Sequence, residues 1–273
     1  MKKILLAFDG NHFSEGSFEF ARALNEMRPI LLLGVFIPQV NYANLWSYAS
    51  AGSGPLLIPL VEEEESETIH KNIARFEELC KKHAINYRVH KDFFDFGLPE
   101  LKKETRFADL AILSSETFYQ NLGTAIPNEY LKEMLHSSEC PVLVVPEKFN
   151  FPESNILAFD GSESSVYAIK QFAYLFPELS NNRTLLVHAD DEETSFPQEL
   201  YIKELASRHF PKLTLFKLDV NPKKYFASWI KEKKSAILVS GAYGRSSVSQ
   251  LFKRSFVSDV IGDHQLPVFI AHR

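Results

Sequence analysis

Ala7-Phe8-Asp9-Gly10 returns unchanged as Ala158-Phe159-Asp160-Gly161, 151 positions further along the chain. A second correspondence runs at a different spacing. Cys140-Pro141-Val142-Leu143-Val144-Val145 matches Leu266-Pro267-Val268-Phe269-Ile270-Ala271 at an offset of 126. A repeat of this length restricts the chain to two copies of one unit, each with its own start and end. The two offsets differ by 25, so the second copy is shorter. Most of the difference falls in Pro38–Val61, which reads as an insertion in copy one. Pro146 to Ser154 carries two prolines and no strong periodicity, so the boundary is set there, giving units 1–147 and 148–273.

Within each unit, apolar runs of strand length alternate with helical patterns. The runs are 3–9, 30–37, 86–94, 109–115 and 141–146, then 155–160, 184–189, 212–220, 235–240 and 267–272. Their continuous apolar character is that of strands covered on both faces, as in a parallel sheet. Helices are expected over 14–27, 64–84, 97–106 and 129–138, then 163–177, 197–209, 223–233 and 246–262. Ser14 and Ser162 stand where helix N-caps are favoured. The pattern predicts an α/β chain of two tandem doubly wound domains. Two similar lobes are expected, with strands 141–146 and 267–272 paired so that no apolar final strand is left bare.

Bulk properties exclude several classes. A hydrophobic content of 45% with 24% charged residues is that of a globular protein. The net charge of −5 argues against nucleic acid as the main partner, because affinity there comes from neutralising phosphates. No apolar run reaches the length of a membrane span. Two cysteines, Cys80 and Cys140, make no disulfide framework, and a reducing cytoplasm is the expected compartment. The nine histidines are scattered, without metal-ligand spacing, and read as surface or core residues. No Gly-x-Ser-x-Gly hydrolase motif occurs. A His-x-Gly-His motif and a Ser-Gly-Gly loop after the first strand, used by adenylate-handling α/β enzymes, are missing as well.

Two motifs point to a ligand. Each first strand ends in Asp-Gly, and ligands of open α/β sheets bind beyond the carboxyl ends of the strands. Asp160 and Gly161 are therefore candidates, although Asp-Gly is also ordinary turn chemistry. The fourth strand of copy two leads into Ser240-Gly241-Ala242-Tyr243-Gly244-Arg245-Ser246-Ser247 and, after nine residues beyond Gly244, Arg254-Ser255. Glycines let backbone N–H groups approach phosphate, and a following helix start adds partial positive charge.

This second motif resembles that of the universal stress protein family, in which Gly-x-x-Gly is followed after nine residues by Gly-Ser or Gly-Thr. Gly241, Gly244 and Ser255 match, Tyr243 replaces the usual His, and Arg254 stands at the third glycine. The resemblance extends over nearly the whole chain, twice. It implies a five-stranded parallel sheet of order 3-2-1-4-5, pairing through the fifth strands, and ATP binding where the motif is complete. It makes Asp160, Gly161, Gly241, Gly244, Arg254 and Ser255 the candidate ligand-binding residues, with ATP or another adenine nucleotide and Mg²⁺ as the candidate cofactor. Arg254 either fills the phosphate space or clamps phosphate with its guanidinium. In copy one the same offset puts Ser115 and Phe118 at the glycines and Asn128 and Glu129 at the Gly-Ser pair, so the phosphate site is lost. The implied function is a non-catalytic cytoplasmic stress-response protein sensing a nucleotide in its second half. A pure protein-interaction module with both sites vestigial is the alternative, followed by a slow ATPase or adenylate-handling enzyme.

The insertion carries Tyr42, Trp46 and Tyr48 among Gly52, Gly54, Pro55 and Pro59. Aromatic content favours packing, so it is expected to fold over the carboxyl end of the first sheet.

Overall fold

The computed structural model describes residues 1–9, 12–37, 57–90, 97–116, 129–189, 195–218, 222–241 and 256–271. The first half contributes β1 (Lys2–Asp9), α1 (Glu15–Met27), β2 (Ile30–Ile37), α2 (Leu57–Lys82), β3 (Asn86–His90), α3 (Gly97–Arg106), β4 (Leu110–Ser114), α4 (Glu129–Ser137) and β5 (Val142–Val145). The second contributes β6 (Ser154–Ala158), α5 (Glu163–Leu175), β7 (Arg183–Ala189), α6 (Glu199–His209), β8 (Leu213–Leu218), α7 (Pro222–Lys231), β9 (Ala236–Gly241), α8 (Phe256–Gly262) and β10 (Val268–Ala271).

The strands lie in the order β3-β2-β1-β4-β5-β10-β9-β6-β7-β8. Each half taken alone is parallel with order 3-2-1-4-5, as the resemblance implied. The halves join through their final strands, the pairing expected of 141–146 and 267–272. β5 and β10 pair antiparallel, Val144 opposite Val268, Leu143 opposite Phe269 and Val142 opposite Ile270, so a single ten-stranded sheet runs through the molecule.

Alternation along the strands explains why both faces are covered. In β1, Ile4, Leu6 and Phe8 enter one hydrophobic core, with α1, α2, α5 and α6. Leu5 and Ala7 enter the other, with α3, α4, α7 and α8. Each core runs across the seam: Leu143 and Phe269 lie in the first, and Val142, Val144, Val268 and Ile270 in the second. Burial of this extent is the main favourable term holding the halves together.

Helix starts follow one device used twice. The Ser14 hydroxyl accepts from the Ser17 N–H at 3.2 Å, and the Ser162 hydroxyl from the Ser165 N–H at 3.2 Å. Such caps contribute about 1 kcal/mol each. α2 begins earlier than the sequence pattern indicates, at Leu57 rather than residue 64, so the tail of the insertion is helical. Pro59 falls in the first turn, where backbone N–H groups have no intrahelical acceptor and proline costs little. The rest of the insertion, residues 38–56, lies outside the described residues, as does its expected cover over the sheet. The predicted helix over 246–262 is described only from Phe256.

Candidate functional site

In the second half, β6 and β9 are neighbours, and their carboxyl ends meet the first turn of α5. Asp160 is exposed, and its Oδ1 accepts from the Ser162 N–H at 3.0 Å. Gly161 has φ +79°, and an added Cβ would come within 3.1 Å of the Pro197 ring. Asp160-Gly161 therefore forms the turn into α5, which is the ordinary role of this dipeptide. One carboxylate oxygen is engaged in that turn, and the group still faces solvent at the carboxyl end of β6.

Gly241 ends β9 against the same helix. A Cβ there would lie 2.4 Å from the Ser164 carbonyl carbon, 2.5 Å from Ser165 N and 2.6 Å from the Ser164 oxygen. These are backbone atoms, so the strand reaches α5 this closely only through glycine. The structure thus brings together Asp160, Gly161 and Gly241 around one helix N-terminus. Gly244, Arg254 and Ser255 lie outside the described residues.

The corresponding place in the first half is filled by the chain itself. Glu147, just beyond β5, accepts from the Gly16 N–H in the first turn of α1 at 3.0 Å and from the Ser114 hydroxyl at 2.9 Å. A carboxylate at a helix N-terminus is favoured by the partial positive charge there. Gly16 permits the approach: a Cβ on it would be 2.1 Å from the Pro146 carbonyl oxygen. The Glu147 N–H in turn donates to the Glu116 carboxylate at 3.0 Å. Ser115 donates its hydroxyl to Glu116 at 2.8 Å. The ring of His264, from the second half, comes within 2.8 Å of the same Ser115 oxygen. Phe118 and Asn128 lie outside the described residues. Of Glu129, only its place at the start of α4 is described.

Sequence reasoning passed over three of these groups. Glu147 carried no local motif. The 126 offset aligns it with Arg273, and that reversal of charge was the available signal. His264 is remote in sequence from Ser115. His188 was grouped with the scattered histidines. It is buried at the carboxyl end of β7, with Nδ1 3.0 Å from the Phe159 carbonyl oxygen. A carbonyl only accepts, so Nδ1 carries the proton.

Among the described residues, no group of three His, Cys, Asp or Glu side chains is arranged to hold a metal ion, and no helix is long and apolar enough to cross a membrane. Both thiols are free and buried. Burial, assisted by the Glu77 charge, pushes Cys80 up to about 12. Burial pushes Cys140 to about 12 as well, against a hydrogen bond from Ser138 that lowers it and the Asp109 charge that raises it. Neither is a thiolate at neutral pH, so neither is a nucleophile. Both folded values lie above the unfolded one, near 9. Folding therefore retains thiol protons that the unfolded chain releases, and this contribution to stability is lost as pH rises from about 9 towards 12. A thiol-directed chromogenic reagent at pH 8 is expected to label neither cysteine in the native protein and both in denaturant. Rapid native labelling of either would contradict this burial.

No protein-family model matches the sequence, and no curated protein matches it either. Solved structures do match in shape. A universal stress protein from Archaeoglobus fulgidus DSM 4304 superposes with a TM-score of 0.73 at 18% identity, over 100% of this chain and 96% of that one. A putative universal stress protein from Pseudomonas aeruginosa UCBPP-PA14 gives 0.54 at 13% identity, covering 100% and 93%. A functionally unknown protein from Pseudomonas aeruginosa PAO1 gives 0.54 at 14%, covering 100% and 92%. The chain has the fold of these proteins from end to end.

Proposed function

We propose that this chain is a tandem universal stress protein that acts without catalysis, binding a phosphate-bearing ligand in its second half while its first half serves as a structural partner. The class of ligand is an adenine nucleotide such as ATP with Mg²⁺. The observation that carries the reading is the asymmetry between two equivalent helix N-termini. At α1, Glu147 supplies the anion from within the chain. At α5, Gly241 closes on the first turn, and the residue aligned with Glu147 is Arg273, a cation. Helix N-termini favour anions, and an internal carboxylate excludes an external one by charge and by space.

Asp160 and Gly161 hold the entry to α5, Gly241, Gly244 and Ser255 are the matching residues of the sequence motif, and Arg254 stands at its third glycine position. Two buried, reduced thiols fit a reducing cytoplasm. Arg254, in place of the third glycine, favours a second reading, in which the loop is plugged and the chain is an interaction module.

Calorimetric titration with ATP and Mg²⁺ at about 150 mM salt, where long-range surface attraction is screened, distinguishes the two. One site per chain is expected, and Asp160→Ala is expected to weaken it about tenfold through a lost contact to the bound ligand. Arg254→Gly then fixes the sign of the arginine. Weaker binding in this variant identifies a clamp, and tighter binding a plug. Absence of binding by both wild type and Arg254→Gly would transfer the assignment to the interaction module. Two equivalent sites would refute the asymmetry.

A further inference from the structure

A groove of about 320 Å³ opens where the connection between the halves passes the start of β9 and β10. It is lined by Lys148, Lys231, Lys233 and Lys234, with Phe149, Asn150, Ser235, Gln265 and Leu266, and among the described residues no acidic one lines it. That composition is unusual in a chain with 35 acidic and 30 basic residues.

One neighbouring carboxylate pairs with a lining lysine, and the others do not line the groove. Asp263 binds Lys231 at 2.9 Å, holding that ammonium in place. Glu147, adjacent to Lys148 in the chain, is turned to Gly16 and Ser114. Glu232 and Glu153 are exposed neighbours that do not line the groove. The Lys233 ammonium sits 4.9 Å from the centre of the Trp229 ring, which fixes its direction.

The walls are held by the backbone. Ser235 adopts φ 53°. Its carbonyl oxygen accepts from the N–H groups of Glu153 and Ser154 at 2.9 and 3.2 Å, tying the lysine-bearing turn to the inter-half connection. Leu266 is buried beneath. A concavity of this size suits a small ligand rather than a macromolecular surface, and a lining of four lysines, one of them paired with Asp263, leaves a net positive field that favours multiply charged anions.

We propose that this groove is a second anion site, separate from the α5 edge, which binds a ligand carrying two or more linked phosphate groups. Free oligophosphate and the phosphate arm of a nucleotide share that chemistry. The test is calorimetric titration of the whole protein with tripolyphosphate at low salt, repeated with ATP and with AMP. Lys148→Ala/Lys234→Ala removes two exposed charges that make no contact in the core, and an unchanged melting temperature verifies that it folds.

Wild type is expected to bind tripolyphosphate, and the double variant to bind it about tenfold more weakly or worse. Loss of tripolyphosphate binding in the lysine variant together with its retention in Asp160→Ala separates this site from the one proposed above. ATP competing with tripolyphosphate in the Asp160→Ala background would identify a nucleotide's phosphate arm as a fitting ligand, and failure to compete would identify free oligophosphate. In both cases AMP, with one phosphate, is expected to compete poorly. Equal binding by wild type and the lysine variant, or no binding by wild type at low salt, would overturn the proposal.

Discussion

Phe269→Ala is expected to remove about 3–5 kcal/mol of stability, the usual cost of emptying a fully buried phenylalanine site. Phe269 is 0% exposed. Its ring meets Phe172 at 5.4 Å and Phe176 at 5.8 Å, both edge-on, and its backbone lies opposite Leu143 of the other half. The cavity would open on the strand that joins the halves, in a core both of them share. Urea unfolding followed by circular dichroism gives the loss directly. Leu143→Ala and the double variant complete a cycle in which the directly opposed pair is expected to be non-additive. A loss under about 1 kcal/mol, or additive losses, would show that the seam is loosely packed.

Gly16→Ala and Gly241→Val are expected to be comparably damaging, for a reason that has nothing to do with lost contacts. The nearest atoms to a new Cβ are backbone, 2.1 Å away at Gly16 and 2.4 Å at Gly241, and backbone cannot rotate aside as a side-chain tip can. Either α1 moves off the Pro146 carbonyl, breaking the Glu147 contact to Gly16, or α5 moves off the end of β9. Overpacking of this kind costs about 3 kcal/mol or more, equivalent to a melting temperature lower by roughly 6–12 °C in a chain of this size. Thermal melts of the two variants decide the matter. Melting within about 2 °C of wild type would mean that the helices yield easily, and would leave Gly241 with only the proposed ligand-facing role.

That role shows how far the residues alone could lead. The strands were legible because a parallel sheet covered on both faces demands continuous apolar runs, and Ile4 to Phe8 supply one. Ser14 and Ser162 were legible because capping is local, acting within three residues. The start of α2 was not, because Pro59 reads as a breaker until it is known to sit in a first turn. Gly241 was read from its loop motif as a phosphate-facing glycine. Its requirement for contact with Ser164 arises from residues far apart in sequence. The pairings of Glu147 with Gly16 and of His264 with Ser115 join positions 131 and 149 apart. They exist only once strand order and the seam are fixed, so no periodicity encodes them.

The antiparallel join of β5 to β10 also changes what mutation can do to this molecule. Where two identical subunits pair through their last strands, every substitution is made twice, and a change that closes one ligand edge closes both. Here the partner is covalently attached, present at an effective concentration set by the connecting segment and independent of how much protein there is. Glu147 can therefore occupy the edge of one half without being repeated in the other, whose sequence carries arginine at the aligned position 273, with the shared sheet left intact. One half is free to specialise because the other is never lost by dilution.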